Sequence, residues 1–559
     1  MEKIVAKKIE KLNERTGRFF DLIEKREITT LVVLFCFSLS IRLGAVNWVS
    51  LLQKDAYVYL LKAVEITRGN FIPSFSQSVG LSLFAAPFLL PFAGASIFKL
   101  MAVAKVISCL FGAAVIFPLY FLAKELCAKR ARTIVLFIFT FWSVLVLSAG
   151  EFLTEPLFSF FLLWSLYFVV RYLKNRATLR SAVTEQVLIA PGKEQQQPNF
   201  HWPFYLSFFF AGLAYYVRPN GFFVLATLII AYLVIDGKNW QKKILPLLIG
   251  CVIFGATAAP FLWQRAEAFG SPFTYGENDK YFAEDYSQMY ADNVPVASAL
   301  TYFKSHSAKQ MFDRFVVGGT ARICFDLFRP KDLPLLTFFI LLGIGLNIWR
   351  KEYWPLYICL LIFIGGLSLI YWLGHTSRYV LPLVPLLIIF IATAWDWLVR
   401  PQRFRDLLSG FFIICFIFLS ITALVKGIPE TVKMPDWATW AAANLRGKLA
   451  TIEGGDLVIM NLPDAATAGV NQKNLYAPVT GLSVFRPGPF PDLAAALTYF
   501  RQIKTTAIVI DENQGARPYL NDIDLPAYKK CFRLVYSDYG QVDFWPAKIY
   551  AIDWKNCAF

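Results

Sequence analysis

The sequence predicts a polytopic α-helical membrane protein with about eleven spans and a small α/β domain at its C-terminal end. Hydrophobic residues make up 57% of the 559-residue chain and charged residues only 17%, and the mean hydropathy is +0.50. A soluble domain carries about a quarter charged residues, so this composition excludes an ordinary soluble protein. The second observation is the placement of the charges. Along the series of apolar runs, loops rich in lysine and arginine alternate with loops that are not.

The apolar runs give the predicted spans, since a helix needs about twenty apolar residues to cross a bilayer. The spans are 29–48, 100–123, 131–149, 152–171, 203–217, 220–236, 243–263, 333–349, 353–373, 378–398 and 406–426. Ahead of them, residues 1–28 are charged and amphipathic and lead into a full-length span. We therefore expect a cytoplasmic helix there and no cleavable signal peptide.

Basic loops set the predicted topology, with the N-terminus inside and the C-terminus outside. On that assignment every inner loop is basic: Lys124, Lys129, Arg130 and Arg132; Arg171, Lys174, Arg176 and Arg180; Lys238, Lys242 and Lys243; Arg350 and Lys351; Arg400, Arg403 and Arg405. This is the positive-inside pattern of membrane proteins. It accounts for the net charge of +16 through membrane lipids and argues against nucleic acid as a partner.

The outer segments are the loops 49–99 and 264–332 and the region 427–559. In the first loop, residues 55–68 predict an amphipathic helix at the interface, and residues 81–93 predict a re-entrant or interfacial helix. In the region 427–559 predicted helices and predicted strands alternate, which indicates an extracytoplasmic α/β domain. Its predicted helices are 436–446 and 491–502, and its predicted strands are 456–460, 507–510, 532–537 and 541–551.

Cysteine placement says little about chemistry. Most cysteines lie in or beside apolar spans, where they are small buried hydrophobes, and the chain has no CxxC pair and no metal-ligand spacing. Cys531 and Cys557 both fall in the C-terminal region, where export would permit a disulfide.

Three carboxylates lie close to span ends on the predicted outer face. Asp55 follows the first span and precedes the helix 55–68, where an N-cap role is the alternative. Glu151 ends the third span and Glu155 begins the fourth, and here a capped helix start is the alternative. Two carboxylates at the edge of an apolar bundle carry a desolvation cost that capping does not require. The pattern therefore favours a functional site.

Two arginines stand at span ends on the same predicted face, Arg218 after the fifth span and Arg378 before the tenth. Such arginines commonly snorkel to head groups, yet the positive-inside rule makes them less expected on the outer side. A guanidinium group also fits a phosphate. His375 lies three residues before Arg378 and is either part of this site or an ordinary loop histidine.

In this order and sidedness the residues resemble the GT-C superfamily of polytopic glycosyltransferases, in the group of the protein O-mannosyltransferases and the lipid A aminoarabinose transferase. The resemblance runs along nearly the whole chain. Its motifs are Asp55-Ala56-Tyr57-Val58-Tyr59, Leu153-Thr154-Glu155-Pro156, Gly212-Leu213-Ala214 before Arg218-Pro219, and Ser377-Arg378-Tyr379 with Pro382 and Pro385. Each motif alone is weak, whereas the combination is specific.

The resemblance implies a membrane glycosyltransferase. Such an enzyme moves a monosaccharide from a polyprenyl-phosphate carrier to a protein, lipid or glycan acceptor on the non-cytoplasmic face, with inversion. It implies Asp55 as the catalytic base. The family often has Asp-Glu at this position, and because Ala56 replaces the Glu here, a second acidic role is expected at Glu151. Residues 29–426 would form the catalytic membrane domain, and a prokaryotic inner membrane is the expected location.

Sugar transfer also requires cations for the departing phosphate, and Arg218 and Arg378 are the expected ones, with Lys54 in reserve. Glu151 and Glu155 would orient hydroxyl groups, and aromatic rings near the first loop would stack on a sugar face or belong to the interfacial belt. The expected substrate-binding residues are Lys54, Tyr57, Tyr59, Glu155, Arg218, His375, Arg378 and Tyr379. We expect no cofactor and no metal, because the first loop has no Asp-x-Asp.

Two other functions compete with this hypothesis. A transporter or flippase of a lipid-linked or anionic substrate would explain the spans, but transporters often show internal repeats and charges near the bilayer midplane, which this sequence does not. A polymerase or ligase of surface polysaccharide also uses lipid-linked sugars and stays open. The sequence does not identify the sugar or the acceptor.

Overall fold

The computed structural model describes most of the membrane part of the chain and pieces of the C-terminal region. The described residues are 2–46, 48, 54–69, 78–93, 95, 97–189, 201–235, 241–269, 272, 282, 299–328, 333–372, 377–432, 458–460, 492–502, 507–511, 523, 525–526, 528–537 and 547–557. At Lys54, Asp55 and Tyr57 the description covers the backbone only. The predicted helix 436–446 lies outside these residues.

The described residues up to Val432 are mostly helical. In chain order they are α1 (Glu2–Lys25), α2 (Glu27–Ala45), α3 (Lys54–Thr67), α4 (Gly80–Leu89), α5 (Ile97–Ala114), α6 (Ile116–Leu126), α7 (Lys129–Phe141), α8 (Ser143–Ser148), α9 (Thr154–Ile189), α10 (Trp202–Val217), α11 (Gly221–Ile235), α12 (Gln241–Phe269), α13 (Ala299–Ser305), α14 (Ala308–Met311), α15 (Arg322–Phe328), α16 (Leu336–Asn347), α17 (Trp354–Tyr371), α18 (Val384–Val399) and α19 (Arg405–Val432). A π-helix spans Phe312–Ala321, and 3-10 helices span Leu90–Phe92, Ala149–Glu151, Lys351–Tyr353 and Ser377–Leu383.

Each predicted span overlaps a helix, but the described residues do not confirm the count of about eleven crossings. Seven helical stretches there are long and apolar enough to cross a membrane, and a pair bent by 53° brings the number to eight. That pair is α7 and α8, and the bend falls at Trp142, whose extended backbone interrupts the helix. The fifth, sixth and eighth predicted spans are α10, α11 and α16, with only 16, 15 and 12 residues. The chain is nevertheless a polytopic membrane protein.

One end of the bundle collects the loops that the sequence predicts to be inside. Ion pairs tie α1 and α2 to the 124–132 loop and to the start of α19: Lys124–Glu27 (2.7 Å), Lys129–Asp21 (2.7 Å), Arg132–Glu24 (3.0 Å), Arg403–Glu10 (3.0 Å) and Arg130–Asp406. The Tyr353 hydroxyl also donates to the Leu126 carbonyl at 2.8 Å. The structure thus has a helix over Glu2–Lys25 and brings it together with the 124–132 and 403–406 segments, while the cytoplasmic location of this end stays a prediction.

The first long loop contains the two predicted helices, α3 and α4, packed against each other. The Ser82 hydroxyl of α4 donates to the Tyr59 carbonyl of α3 at 2.8 Å. Helix α4 also packs closely on the end of α10, because a Cβ at Gly80 would overlap the backbone of Tyr216. Helix α3 begins at Lys54, so Asp55 lies within its first turn and the N-cap alternative for Asp55 is wrong.

In the C-terminal region the described residues form a four-stranded mixed sheet. Its strands are β1 (Val458–Met460), β2 (Ala507–Asp511), β3 (Phe532–Ser537) and β4 (Ala547–Ile552), in the order β1-β2-β4-β3. β1 is parallel to β2, and β4 is antiparallel to both β2 and β3. Helix α20 (Leu493–Gln502) packs its buried leucines in a core with Cys531 and Cys557, which form a disulfide, the alternative that the sequence left open.

Close contact between α16 and α18 depends on one glycine. A Cβ added at Gly343 would overlap the Phe390 carbonyl oxygen, whereas a Cβ at Gly345 would meet nothing within 4 Å. We expect Gly343→Ala to lower stability by about 1–3 kcal/mol through overpacking, and Gly345→Ala to be neutral or to add up to about 1 kcal/mol.

Thermal unfolding of the two variants in the same detergent measures this difference. The two sites share one helix and one type of substitution, so the comparison isolates the interhelical contact. An unchanged Tm for Gly343→Ala would contradict the close approach of α16 to α18.

Candidate active site

Glu155 and Arg218 form a buried ion pair at the end of the bundle opposite the basic loops. An Arg218 Nη1–H donates to Glu155 Oε1 at 3.1 Å, and the two side chains are only 13% and 5% exposed. The pair follows from the helix order. Helix α9 begins at Thr154, α10 ends at Val217, and the two helices pack side by side, so the start of one meets the end of the other.

A tight turn holds Arg218 in place. Its backbone is extended, and the Gly221 amide donates to the Arg218 carbonyl at 2.9 Å, which reverses the chain into α11. A Cβ at Gly221 would overlap the backbone of Tyr215, so only glycine fits this turn. Pro219 and Gly221 thus separate two apolar helices, α10 and α11, that follow each other closely in the chain.

Tyr379 brings the second predicted arginine to the same place. Its ring centroid lies 5.5 Å from Arg218 Cζ and 5.6 Å from Arg378 Cζ, so one aromatic ring contacts two guanidinium groups. Both Arg378 and Tyr379 belong to the 3-10 helix Ser377–Leu383, which packs against α9.

Glu151 completes the cluster from a strained turn. It ends the 3-10 helix Ala149–Glu151, and its charge interacts with those of Glu155 and Arg378. The next residue, Phe152, is fully buried and has a φ of 48°, in the left-handed region. Such a conformation costs of order 1–3 kcal/mol for a non-glycine residue and is typically found at functional sites. The turn therefore directs Glu151 at the expense of backbone strain.

The two carboxylate oxygens of Glu155 differ in their hydrogen bonding. Its Oε1 accepts from Arg218, but its Oε2 is buried and has no hydrogen-bond partner among the residues that the structure describes. A buried carboxylate oxygen without a donor is unfavourable by about 1–3 kcal/mol. A hydroxyl group of a bound molecule would supply that donor.

Sequence reasoning missed a second group of cations, Lys62 on α3 and Arg265 on α12. Lys62 Nζ is shielded from solvent without a hydrogen-bond partner in the described part of the chain, and Arg265 is fully buried. Burial, together with the positive charge of Arg265, lowers the pKa of Lys62 to about 7. Two like charges brought together in a buried place favour an anion between them.

The two cation groups adjoin the same end of α10. The ring of Tyr216, two residues before Arg218, lies 5.6 Å from the ring of Phe261, which is one turn before Arg265 on α12. Lys62 follows Asp55 by seven residues, and this spacing places both on one face of α3. That spacing, and the position of Arg265 just past the seventh predicted span, were the signals in the sequence.

The structure thus brings together Glu151, Glu155, Arg218, Arg378 and Tyr379. Tyr59 is buried where α3 meets α4. His375 and the side chains of Lys54, Asp55 and Tyr57 lie outside the described residues. Within the described ranges no three His, Cys, Asp or Glu side chains form a metal-binding group, and the expectation of no metal stays a prediction.

Comparison with solved structures identifies the fold. The chain is similar to ArnT from Cupriavidus metallidurans bound to undecaprenyl phosphate, with a TM-score of 0.56, 13% identity, and coverage of 95% of this chain and 99% of that one. It is similar to the oligosaccharyltransferase AglB from Archaeoglobus fulgidus in complex with an inhibitory peptide and a dolichol-phosphate, with a TM-score of 0.54, 14% identity, and coverage of 96% and 75%. The Archaeoglobus fulgidus oligosaccharyltransferase in its apo form gives a TM-score of 0.54 at 12% identity, with coverage of 91% of this chain and 73% of that one.

The chain therefore has the fold of these solved structures. Neither the protein-family models nor the curated protein sequences gave a match.

The buried ion pair makes a testable contribution to stability. Because each charge compensates the other in an apolar place, Arg218→Gln alone should destabilise the protein by about 3–5 kcal/mol. The double variant Glu155→Gln with Arg218→Gln should recover much of that loss, since no unpaired charge is left. Thermal unfolding of the wild type, both single variants and the double variant measures the coupling. Additive losses would show that the two side chains do not depend on each other.

Proposed function

We propose that this protein is a membrane glycosyltransferase that moves a sugar from a polyprenyl-phosphate carrier to an acceptor hydroxyl or amine group. The observation that carries the proposal is the cluster of half-buried charged side chains around the buried Glu155 at one end of the apolar bundle. There the Glu155–Arg218 pair, Tyr379, Arg378 and Glu151 surround one place. The fold supports it, because solved proteins of this fold bind undecaprenyl phosphate and dolichol-phosphate.

The location of the cluster suits such a substrate. A polyprenyl tail stays in the bilayer while its sugar phosphate stays at the head-group level. An enzyme for it must therefore present its polar groups at the edge of the membrane-spanning bundle. The cluster lies at the start of α9, the end of α10 and the segment ahead of α18, which are edges of that kind. The charge pattern of the loops assigns this end to the non-cytoplasmic side.

Asp55 is the proposed base. It would take the proton from the acceptor as the acceptor oxygen or nitrogen attacks the anomeric carbon. The bond from that carbon to the phosphate oxygen then breaks, its electron pair leaves with the polyprenyl phosphate, and the anomeric centre is inverted. Asp55 lies in the first turn of α3, on the same helix face as Lys62.

Cations on the other side of the reacting bond would stabilise the departing phosphate. Arg378, Lys62 and Arg265 are candidates together with Arg218, which forms an ion pair with Glu155. Arg218 would mainly hold Glu155 in position and would contribute less to stabilising the departing phosphate. This assignment adds Lys62 and Arg265 to the residues that the sequence indicated.

The two glutamates would orient hydroxyl groups. Glu155 Oε2 is buried without a donor among the described residues, so it can accept from a sugar or acceptor hydroxyl. Glu151 lies within electrostatic range of both Glu155 and Arg378 and is the second acidic group that the replacement of a family Glu by Ala56 calls for.

Transfer by purified wild type and Asp55→Asn tests the proposal directly. A panel of radiolabelled polyprenyl-phosphate sugars serves as donor, and membrane extract serves as acceptor. We expect transfer by the wild type and a loss of roughly 10²–10⁴-fold in Asp55→Asn, with binding of the donor retained. The exposed Asp313→Asn is the matched control and should keep wild-type turnover.

Near-normal turnover by Asp55→Asn would rule out Asp55 as the base, and Glu151→Gln would be measured next. If no donor were bound or turned over by either protein, the transporter hypothesis would replace the transferase.

If Lys62 binds the phosphate, the affinity for the donor should depend on pH. With a pKa of about 7, Lys62 is charged below that pH and loses its proton as the pH rises through it. If Lys62 binds the phosphate as a cation, its contribution to affinity should fall by up to tenfold per pH unit above about 7.

Binding of undecaprenyl phosphate by wild type and Lys62→Arg between pH 6 and 9 measures this contribution. The phosphate itself ionises near pH 6 and affects both proteins alike, whereas arginine keeps its charge throughout. We expect the ratio of the two dissociation constants to change by about tenfold between pH 6 and 8. Parallel profiles would exclude Lys62 from the phosphate site.

A further inference from the structure

The π-helix Phe312–Ala321 lies in the segment between α12 and α16 and docks tightly on α17. A Cβ at Gly319 would overlap the Ser368 carbonyl oxygen, and a Cβ at Gly318 would lie 3.2 Å from Trp372 Cβ. π-Helical turns are rare and are frequently found at functional sites. The two glycines let this one approach the end of α17 at backbone distance.

Arg314 is the centre of a stack of rings at this contact. Its Cζ lies 3.7 Å from the ring centroid of Trp372 and 4.3 Å from that of Tyr302. Tyr302 stacks in turn on His306, with centroids 3.8 Å apart and ring planes 17° apart. Arg314 and Tyr302 are both buried. A planar guanidinium group between two aromatic faces joins α13, the π-helix and the end of α17.

The stack is connected to the active-site cluster in two independent ways. Along the chain, only residues 373–376, outside the described part, separate Trp372 from the 3-10 helix Ser377–Leu383 that carries Arg378 and Tyr379. Through space, α15 continues the π-helix and packs against that same 3-10 helix. A hydrogen bond from the Tyr371 hydroxyl to the Asp326 carboxylate of α15 joins the two routes.

We propose that Arg314 is a positioning residue, which holds the 3-10 helix Ser377–Leu383 so that Arg378 and Tyr379 meet the Glu155–Arg218 pair. Arg314 does this through Trp372 and α15, without touching the reacting atoms. Its effect on the 3-10 helix is independent of what the protein does, and its effect on turnover rests on the proposed transferase activity.

Arg314→Lys is the informative substitution. Lysine keeps the charge, but its ammonium group cannot stack as a plane between Trp372 and Tyr302. Arg322→Lys is the matched control, because Arg322 lies on α15, close in the chain, and is exposed. Trp372→Phe keeps a ring for the stack and should resemble the wild type, whereas Trp372→Leu removes the ring.

Hydrogen–deuterium exchange of the peptide 377–383, in lipid nanodiscs and without any donor, tests the structural part. We expect exchange about tenfold faster in Arg314→Lys and Trp372→Leu, and wild-type exchange in Arg322→Lys and Trp372→Phe. Wild-type exchange in Arg314→Lys would overturn the proposal, whatever the activity of the protein.

A kinetic double-mutant cycle tests the consequence. Because Arg378 acts on the departing phosphate, Arg314→Lys should lower kcat about tenfold with the donor KM nearly unchanged. In an Arg378→Lys background the same substitution should lower kcat by less than about twofold. Equal losses in the two backgrounds would mean a merely structural role and would reject positioning through Arg378. Absence of transfer by the wild type would refute the transferase proposal, and the exchange experiment would still decide the role of Arg314.

Discussion

The ion pair between Glu155 and Arg218 is the constraint around which this end of the molecule is arranged. In an apolar bundle neither charge is tolerable alone, so the start of α9 and the end of α10 must meet. The turn that follows Arg218 is tight and requires glycine at position 221, because a Cβ there would overlap the backbone of Tyr215. Tyr379 packs between the pair and Arg378, which brings the segment ahead of α18 to the same place. A pair of opposite charges thus unites three parts of the chain that are far apart in sequence.

The location of these residues at one end of the bundle was predictable from the sequence, and their pairing was not. Span length and loop charge are properties of single segments, and they sufficed to place Glu155, Arg218 and Arg378 at one end. Which carboxylate meets which arginine depends on how the helices pack, and no single segment carries that information. Lys62 shows the same limit. In the sequence it belongs to the polar face of an interfacial helix, and its burial follows from the packing around α3, which the helical period of α3 does not reveal.

The interruption of the third predicted span has a local cause. The third predicted span reads as one apolar run, but the extended backbone at Trp142 divides it, and the chain then reaches Glu151 through a short 3-10 turn. The left-handed Phe152 follows, where a hydrophobicity pattern would expect an ordinary helix start. A buried aromatic ring can offset such strain through its packing, since burying it is worth about 1.5–3 kcal/mol. The break at Trp142 and the strain at Phe152 together direct Glu151 toward Glu155 and Arg378. The hydrophobicity pattern therefore fails where the backbone departs from a regular helix to form the candidate site.

Charge balance at this end of the molecule involves the proton on Lys62. The described charged groups there include Arg218, Arg378, Lys62 and Arg265 together with Glu151 and Glu155. On the proposed assignment Asp55 and a bound phosphate add negative charge. Lys62, with a pKa of about 7, is then a group that can adjust its charge. An arriving phosphate would draw a proton onto Lys62, and its departure would release that proton, so the buried end need not carry a large net charge at either stage.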